Sequence, residues 1–430
     1  MICSICYLPV VVKVLQLTYI TTFCLYLGNH SSFNYMYMGD QHKMKKICIN
    51  KPMVLTIISL GITVVGLLNY VSTELAGNFQ WLILPSKFFG VPDGLKNIIV
   101  TICDDGSVGW DGQFYYYISN DILGLSDTAS HIDAPSYRYQ RIGLPLIAYL
   151  VAHIMGYSIV SVEIFTLVYI VILTAATYYF AKYLNDNGNS VLWVLPWILS
   201  CGVQITLRHA LPDGAADAFM IFAFILILKR KYILYSIFIT LASLCREGNI
   251  AIAFIIFLLG VLGYIDKDKK YNINFSAILA IPGIIFITWY MYVTYHFGVA
   301  PFKQALGITQ LFMTGFYDYL IIALNTDNTI ELCGLIIYFM TIWITLYLAL
   351  TRGMKNKLYW SIIPFTILLG SFGPTVMMHY SGYLKGITSL WIYVVIMSLD
   401  KSCSCCLNSK KIYKIGLIGF MCMVLITGLI

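Results

Sequence analysis

Three features of this sequence predict an all-α polytopic membrane protein: scarce charge, long apolar runs, and basic residues grouped between those runs. Of the 430 residues, 11% are charged and 59% hydrophobic, whereas a soluble domain carries about 25% charged residues. So few charges cannot cover a water-soluble globule of this size, and lipid must be the solvent for much of the surface. The mean hydropathy of +0.79 agrees.

Apolar runs long enough to be considered as crossings lie at 53–71, 158–182, 190–207, 214–229, 232–246, 249–264, 275–296, 333–350, 358–378, 384–399 and 412–430. Several are shorter than the ~20 residues a full crossing needs. A further run near 10–28 precedes them. The string MKKICINKPM from Met44 reads as a short basic segment placed directly before an uncharged helix. Residues 1–43 are therefore expected to be an optional extension or extra helix from a start assigned too early, with 44–430 a single transmembrane domain.

The net charge of +7 raises the question of nucleic acid. The placement of the basic residues answers it. They form short clusters between apolar runs: Lys43, Lys45, Lys46 and Lys51; Lys229, Arg230 and Lys231; Lys267, Lys269 and Lys270; Arg352, Lys355 and Lys357; Lys410, Lys411 and Lys414. This is the pattern of cytoplasmic loops, so the expected partner is the lipid bilayer of an inner (plasma) membrane, with no nucleic acid. The 12 cysteines are scattered, mostly in apolar runs where Cys acts as a small hydrophobe. Cys403, Cys405 and Cys406 lack the paired spacing or added histidines of a metal site.

With the first basic cluster inside, residues 72–141 fall outside. Their charges agree: Glu74, Asp93, Asp104, Asp105, Asp111, Asp121, Asp127 and Asp133 stand against Lys87, Lys96, Arg138 and Arg141. Counting 142–156 as a crossing would put three later basic clusters outside. The segment is therefore expected to lie along the outer interface, as amphipathic helices do, with 158–182 as the second crossing. The long connections, 72–157 and 297–331, are then both extracytoplasmic. Connections of this length are usually functional.

The densest chemistry lies in CDDGSVGWDGQFYYYISNDILGLSDTASHIDAPSYRYQRIGLPL, residues 103–146. An interfacial aromatic belt accounts for Phe114–Tyr117, but it does not account for Asp111 between Trp110 and Gly112. Arg138 and Arg141, three apart, share a helix face and suit either substrate phosphate or simple snorkelling among lipid headgroups. Asp104 and Asp105 compete with Asp111 as catalytic candidates, or as a vicinal pair hold a divalent cation such as Mg or Mn. In LRHALPDGAADAF, Pro212-Asp213-Gly214 reads as a turn, with Asp213 a candidate cap of the next helix. Asp217 falls inside that helix, where ionisable groups are costly and usually functional. Arg246 and Glu247 read as an interfacial pair, and His379 and Lys385 close the same side.

The strings GWDGQFYYYIS and DAPSYRYQRIGLPLIAYL resemble the first extracytoplasmic loop of GT-C membrane glycosyltransferases. They are most similar to a bacterial branch associated with cell-surface glycopolymers, and distantly to GPI-type mannosyltransferases. The strong likeness covers about 45 residues, and the expected topology follows most of the chain. The resemblance implies a GT-C-like bundle of about 11 transmembrane helices, with juxtamembrane helices in the catalytic loop 72–157. It implies transfer of a sugar from a polyprenyl-phosphate carrier to a glycan or lipid-linked acceptor on the outer face. By motif, Asp111 is the implied catalytic base. Arg138, Arg141, Gln113, Tyr116, Asp133, Asp213, Asp217, Arg246 and Lys385 are the expected substrate contacts. Lys385 stands where relatives carry Arg, and it cannot form a bidentate clamp. The alternative is an O-antigen-type polymerase, but its large arginine-bearing outer loop belongs in the later half, where 297–331 carries only Lys303. A polyprenyl-linked sugar flippase is less favoured, because no matching pair of broken helices marks the two halves.

The topology is tested by impermeant thiol labelling of intact cells, with native thiols blocked. Ser126→Cys should react and Asp268→Cys should not; the opposite pattern overturns the orientation.

Overall fold

The computed structural model describes residues 50–400, apart from 105, 270, 271, 306 and 327. The expected extension 1–43, the run 412–430 and Cys403, Cys405 and Cys406 lie outside the described residues. Among the described residues all regular elements are helical, and the only β-type pairings are two isolated bridges.

Helix α1 (Lys51–Thr73) begins where the Asn50 side chain accepts the Met53 N–H and Pro52 occupies the first turn, two start signals that act together. The chain then runs irregularly to three helices at the loop end of the bundle: α2 (Gly112–Ser119), α3 (Pro135–Tyr139) and α4 (Gly143–Ile154). Next come α5 (Val162–Asp186), a bent pair formed by Val191–Ile198 and α6 (Cys201–Arg208), α7 (Asp213–Leu228), α8 (Tyr232–Cys245) and α9 (Ile250–Val261). The remainder is α10 (Ile273–Phe297), α11 (Thr314–Asn325), α12 (Thr329–Gly353), α13 (Ile362–Leu369) and α14 (Tyr380–Leu399).

Five of these, α1, α5, α10, α12 and α14, are long and apolar enough to cross a membrane, and the bent pair makes up to six. The chain is a helical membrane protein. Eleven runs were expected. Of the other runs, 412–430 lies outside the described residues, and 214–229, 232–246 and 249–264 form α7, α8 and α9, helices of 16, 14 and 12 residues. Two further runs are broken by local causes. The run 190–207 bends by 52°, where Ser200 turns its hydroxyl back to cap the next helix at Val203 N–H. The run 358–378 is not one helix: α13 ends at Leu369, and a separate turn of helix occupies Pro374–Met377. Between them, residues 370–375 bond by backbone to 307–313, through Gln310 N–H to Ser371, Met313 N–H to Gly370 and Gly373 N–H to Ile308. That pairing, invisible in a hydropathy pattern, takes the backbone out of the helix. The connection 297–331 accordingly contains α11 and this paired segment. Residues 143–154 form a separate helix of 12 residues, too short for a full crossing.

Lipid tails are as apolar as leucine, so helices in a membrane are held by close packing and hydrogen bonds. Helix α14 is the most buried of the candidate spans and α10 the least; α14 packs on α12 and α6, and Trp391 Nε1 donates to Thr341 Oγ1 at 3.1 Å across that contact. Hydroxyls inside the bundle turn back on their own helices, as with Thr177 to Leu173 and Thr345 to Thr341. Two of the described basic turns meet at one end, where Tyr232 donates to Asp266 and Arg230 approaches it. The acidic loop lies at the other.

The loop is fastened to the spans by polar side chains. Asn120 Nδ2 donates to Val160 C=O and its Oδ1 accepts Val160 N–H at 2.8 Å, joining the end of α2 to the start of α5. From α10, Trp289 Nε1 donates to Tyr139 C=O and Tyr292 OH to Leu123 C=O. Asn120→Ala would leave the Val160 groups unmatched at a cost of about 1–3 kcal/mol; a lower unfolding temperature in detergent is the expected reading.

Candidate functional site

A cavity of about 620 Å³ opens at the loop end. Its polar wall holds Asp111, Arg138, Arg141, Asp213, Arg246, Glu247 and Lys385. Its apolar wall includes Phe286, Tyr290, Phe302 and Phe372. Residues far apart in sequence, from the loop, α7, the α8–α9 turn and α14, therefore meet around one space.

Asp111 stands at the start of α2, and two glycines determine how it gets there. Gly109 has φ +68°, in the left-handed region, with Leu84 C=O where a Cβ would have to lie. Gly112 lies so close to the carbonyl of His209 that any Cβ would collide with it. Trp110 meets the His209 ring edge-on. Burial, with the charges of Lys385 and Arg208, pushes the His209 imidazole down to about 2, so it sits there neutral. The GWDG string is thus a docking device that seats the loop on the turn before α7.

Arg138 is the centre of the polar wall. Its Nη1 and Nη2 donate to Asp111 at 2.8 and 2.9 Å. Its Nε and Nη2 donate to Asp133 at 2.9 and 2.7 Å, and Nη1 also reaches Tyr115 OH at 3.4 Å. All five guanidinium N–H groups have acceptors. Arg138, expected at the substrate phosphate, has no donor left for one. The Arg138 side chain is 9% exposed and that of Asp111 46%, because the carboxylate opens onto the cavity. Burial by itself would raise the Asp111 carboxyl. The charges of Arg138, Lys385 and Arg141 outweigh it and hold the group below the ordinary carboxylate value, so at neutral pH it is an anion.

Arg141 is also committed: its Nε and Nη2 each donate to Glu247 at 2.7 Å, and it lies over the Tyr137 ring. The neighbours Arg246 and Glu247 do not pair with each other. Arg246 is 6% exposed; its nearest carboxylate is Asp213, at 3.7 Å from Nε, and its buried Nη1 has no hydrogen-bond partner. Lys385 forms no ion pair or hydrogen bond with any described residue, although its charge acts on both Asp111 and Asp213. Among the described cations that line the cavity, these two are left available.

Other expected site residues sit elsewhere. Gln113 is fully buried away from the cavity. Its Oε1 accepts Ser86 N–H, and its Nε2 donates to Val108 and Trp110 C=O, so it braces the loop around Asp111. Tyr116 is 0% exposed and packs on Tyr117 and Phe165. Asp133 lies behind Arg138, and Asp217 lies buried beneath the floor, one helical turn beyond Asp213. Asp104 is exposed and paired with Lys87 at 2.8 Å, and Asp105 lies outside the described residues. Among the described residues no group of three or more His, Cys, Asp or Glu is arranged to hold a metal ion. The Lys87 ammonium occupies the Asp104 carboxylate that a divalent cation would need. Glu247 and Tyr115 were missed as members of the site. The only signal for Glu247 in the sequence was its adjacency to Arg246, which suggested the wrong partner.

Gly112→Ala should unseat the loop from the His209 carbonyl at a cost of about 1–3 kcal/mol, read as a lower unfolding temperature, while Val108→Ala, exposed and nearby, should be neutral. No protein-family model matches this chain, and no curated protein or solved structure does either.

Proposed function

We propose that this protein is a GT-C-type membrane glycosyltransferase that moves a sugar from a polyprenyl-phosphate carrier to a cell-surface glycan or lipid-linked acceptor, working on the extracytoplasmic face of the inner membrane. One observation carries the reading. A single cavity joins an open carboxylate, two cations without a full set of partners and an aromatic wall, and that combination suits an anionic lipid beside a hydroxylic acceptor.

In this reading Asp111 accepts the proton of the acceptor hydroxyl, which is a weak nucleophile at neutral pH. The acceptor oxygen bonds to the anomeric carbon as the bond from that carbon to the phosphate oxygen breaks. The electron pair leaves with the carrier phosphate, whose growing charge is met by Arg246 and Lys385. Arg246 has a donor free for this at Nη1, and Lys385 serves as a point charge. Phe286, Tyr290 and Phe302 receive the first part of the prenyl chain.

The test is the surface glycan of a deletion strain carrying each variant. Asp111→Asn keeps shape and hydrogen bonding but cannot take the proton, so product should fall by about 10²–10⁴-fold at normal protein level. Lys385→Gln should weaken binding of undecaprenyl phosphate to the purified protein by about 10–100-fold, the worth of a charged hydrogen bond. Full activity of Asp111→Asn removes Asp111 from the mechanism, and unchanged lipid binding removes Lys385.

A further inference from the structure

Both edges of the Arg138 guanidinium are occupied, by a different carboxylate each. The Nη1–Nη2 end faces Asp111 and the Nε–Nη2 side faces Asp133. Asp111 lines the cavity and Asp133 does not. A one-to-one bidentate Arg–carboxylate pair is strong and mutually neutralising; in a low-dielectric wall it would turn Asp111 into a buried structural anion with little affinity for a proton. Two carboxylates on one guanidinium leave a net negative triad instead. Asp133 is itself fixed, since its Oδ1 also accepts the Ala134 N–H at 2.7 Å. It lies two residues before Pro135, which starts α3, so the backbone holds it in place independently of Arg138.

We propose that Asp133 is a positioning residue: it takes one edge of Arg138, aims the other edge at Asp111, and leaves Asp111 facing the cavity with only part of the guanidinium charge against it. The inference rests on Asp111 being the proton acceptor of the proposed reaction, but the arrangement it describes is testable without that reaction. The charged and titratable groups around Asp111 are Arg138 from α3, Tyr115 from α2, Arg141 before α4 and Lys385 from α14, with Asp133 beyond Arg138 and Asp213 on the same cavity. Of these, Asp133 alone is an anion hydrogen-bonded to the same guanidinium as Asp111. Removing its charge hands the whole of Arg138 to Asp111.

Opposite charge favours the ionised carboxylate, so Asp133→Asn should lower the proton affinity of Asp111 further, with a smaller protonated fraction at any acidic pH. A water-soluble carbodiimide with glycine ethyl ester labels a carboxyl through its protonated form, and peptide mass spectrometry reads each site separately. On the full chain in detergent at pH 5, Asp111 should label severalfold more slowly in Asp133→Asn than in the unaltered protein. Exposed Asp93 serves as the reference and should not change. Asp133→Glu, which keeps the charge, should restore the rate. A loosened loop would expose Asp111 and speed its labelling, so an equal or faster rate in a folded Asp133→Asn overturns the proposal. If Asp133→Asn fails to fold, failure of Asp133→Glu to label at the original rate overturns it in its place. The glycan assay separates the two claims: a protein with no transferase activity but slowed labelling in Asp133→Asn sinks the proposed function and leaves the positioning role standing.

Discussion

The structure depends on pairing ions where water is scarce. An unpaired charge in an apolar medium is far costlier than any single packing contact, and buried charges are therefore paired or functional. Three arginine contacts do most of this at the loop end: Arg138 with Asp111 and Asp133, Arg141 with Glu247, and Arg246 beside Asp213. Each joins segments that hydropathy alone would leave independent. Arg141 and Glu247 are 106 residues apart, and their pair binds the amphipathic entrance of α4 to the turn between α8 and α9. The cavity is the space these pairs enclose.

The pairs are unequal, and their inequality is what gives the wall a chemical direction. Arg138 is saturated and Arg141 nearly so, which makes both of them architecture. Arg246 is buried with one nitrogen unmatched, and Lys385 has no partner among the described residues. A protein selected only for stability has no reason to leave cationic donors unmatched beside a cavity. Buried polar atoms without partners are rare enough in native structures to ask for a ligand or water. The proposed transfer reaction places the carrier phosphate there and the acceptor hydroxyl near Asp111, at opposite parts of one wall.

Two readings of the conspicuous motif prove compatible. The glycines of GWDG are required by backbone geometry, Gly109 by its positive φ and Gly112 by the His209 carbonyl pressed against it. The aromatic run behind it is core: Tyr115, Tyr116 and Tyr117 are each at most 1% exposed. Asp111 is the member of the string that opens to the cavity. A motif of this kind serves the placement of one carboxylate, with most of its residues engaged in holding the loop.

Composition alone determined that this chain needs lipid, because 11% charge cannot cover it. Apolar length marked α1, α5, α10, α12 and α14. The density of carboxylates, aromatics and arginines singled out residues 103–146, and Asp111 within them. What one dimension could not supply was pairing. Whether Arg138 met a phosphate or two aspartates, and whether Glu247 belonged to Arg246 or Arg141, depended on which helices lay side by side. Nor could hydropathy show that 307–313 would bond to 370–375 and divide an apolar run, since backbone hydrogen bonds carry no side-chain signature. Charge partners and backbone partners are chosen across the bundle, and only the tertiary structure decided them.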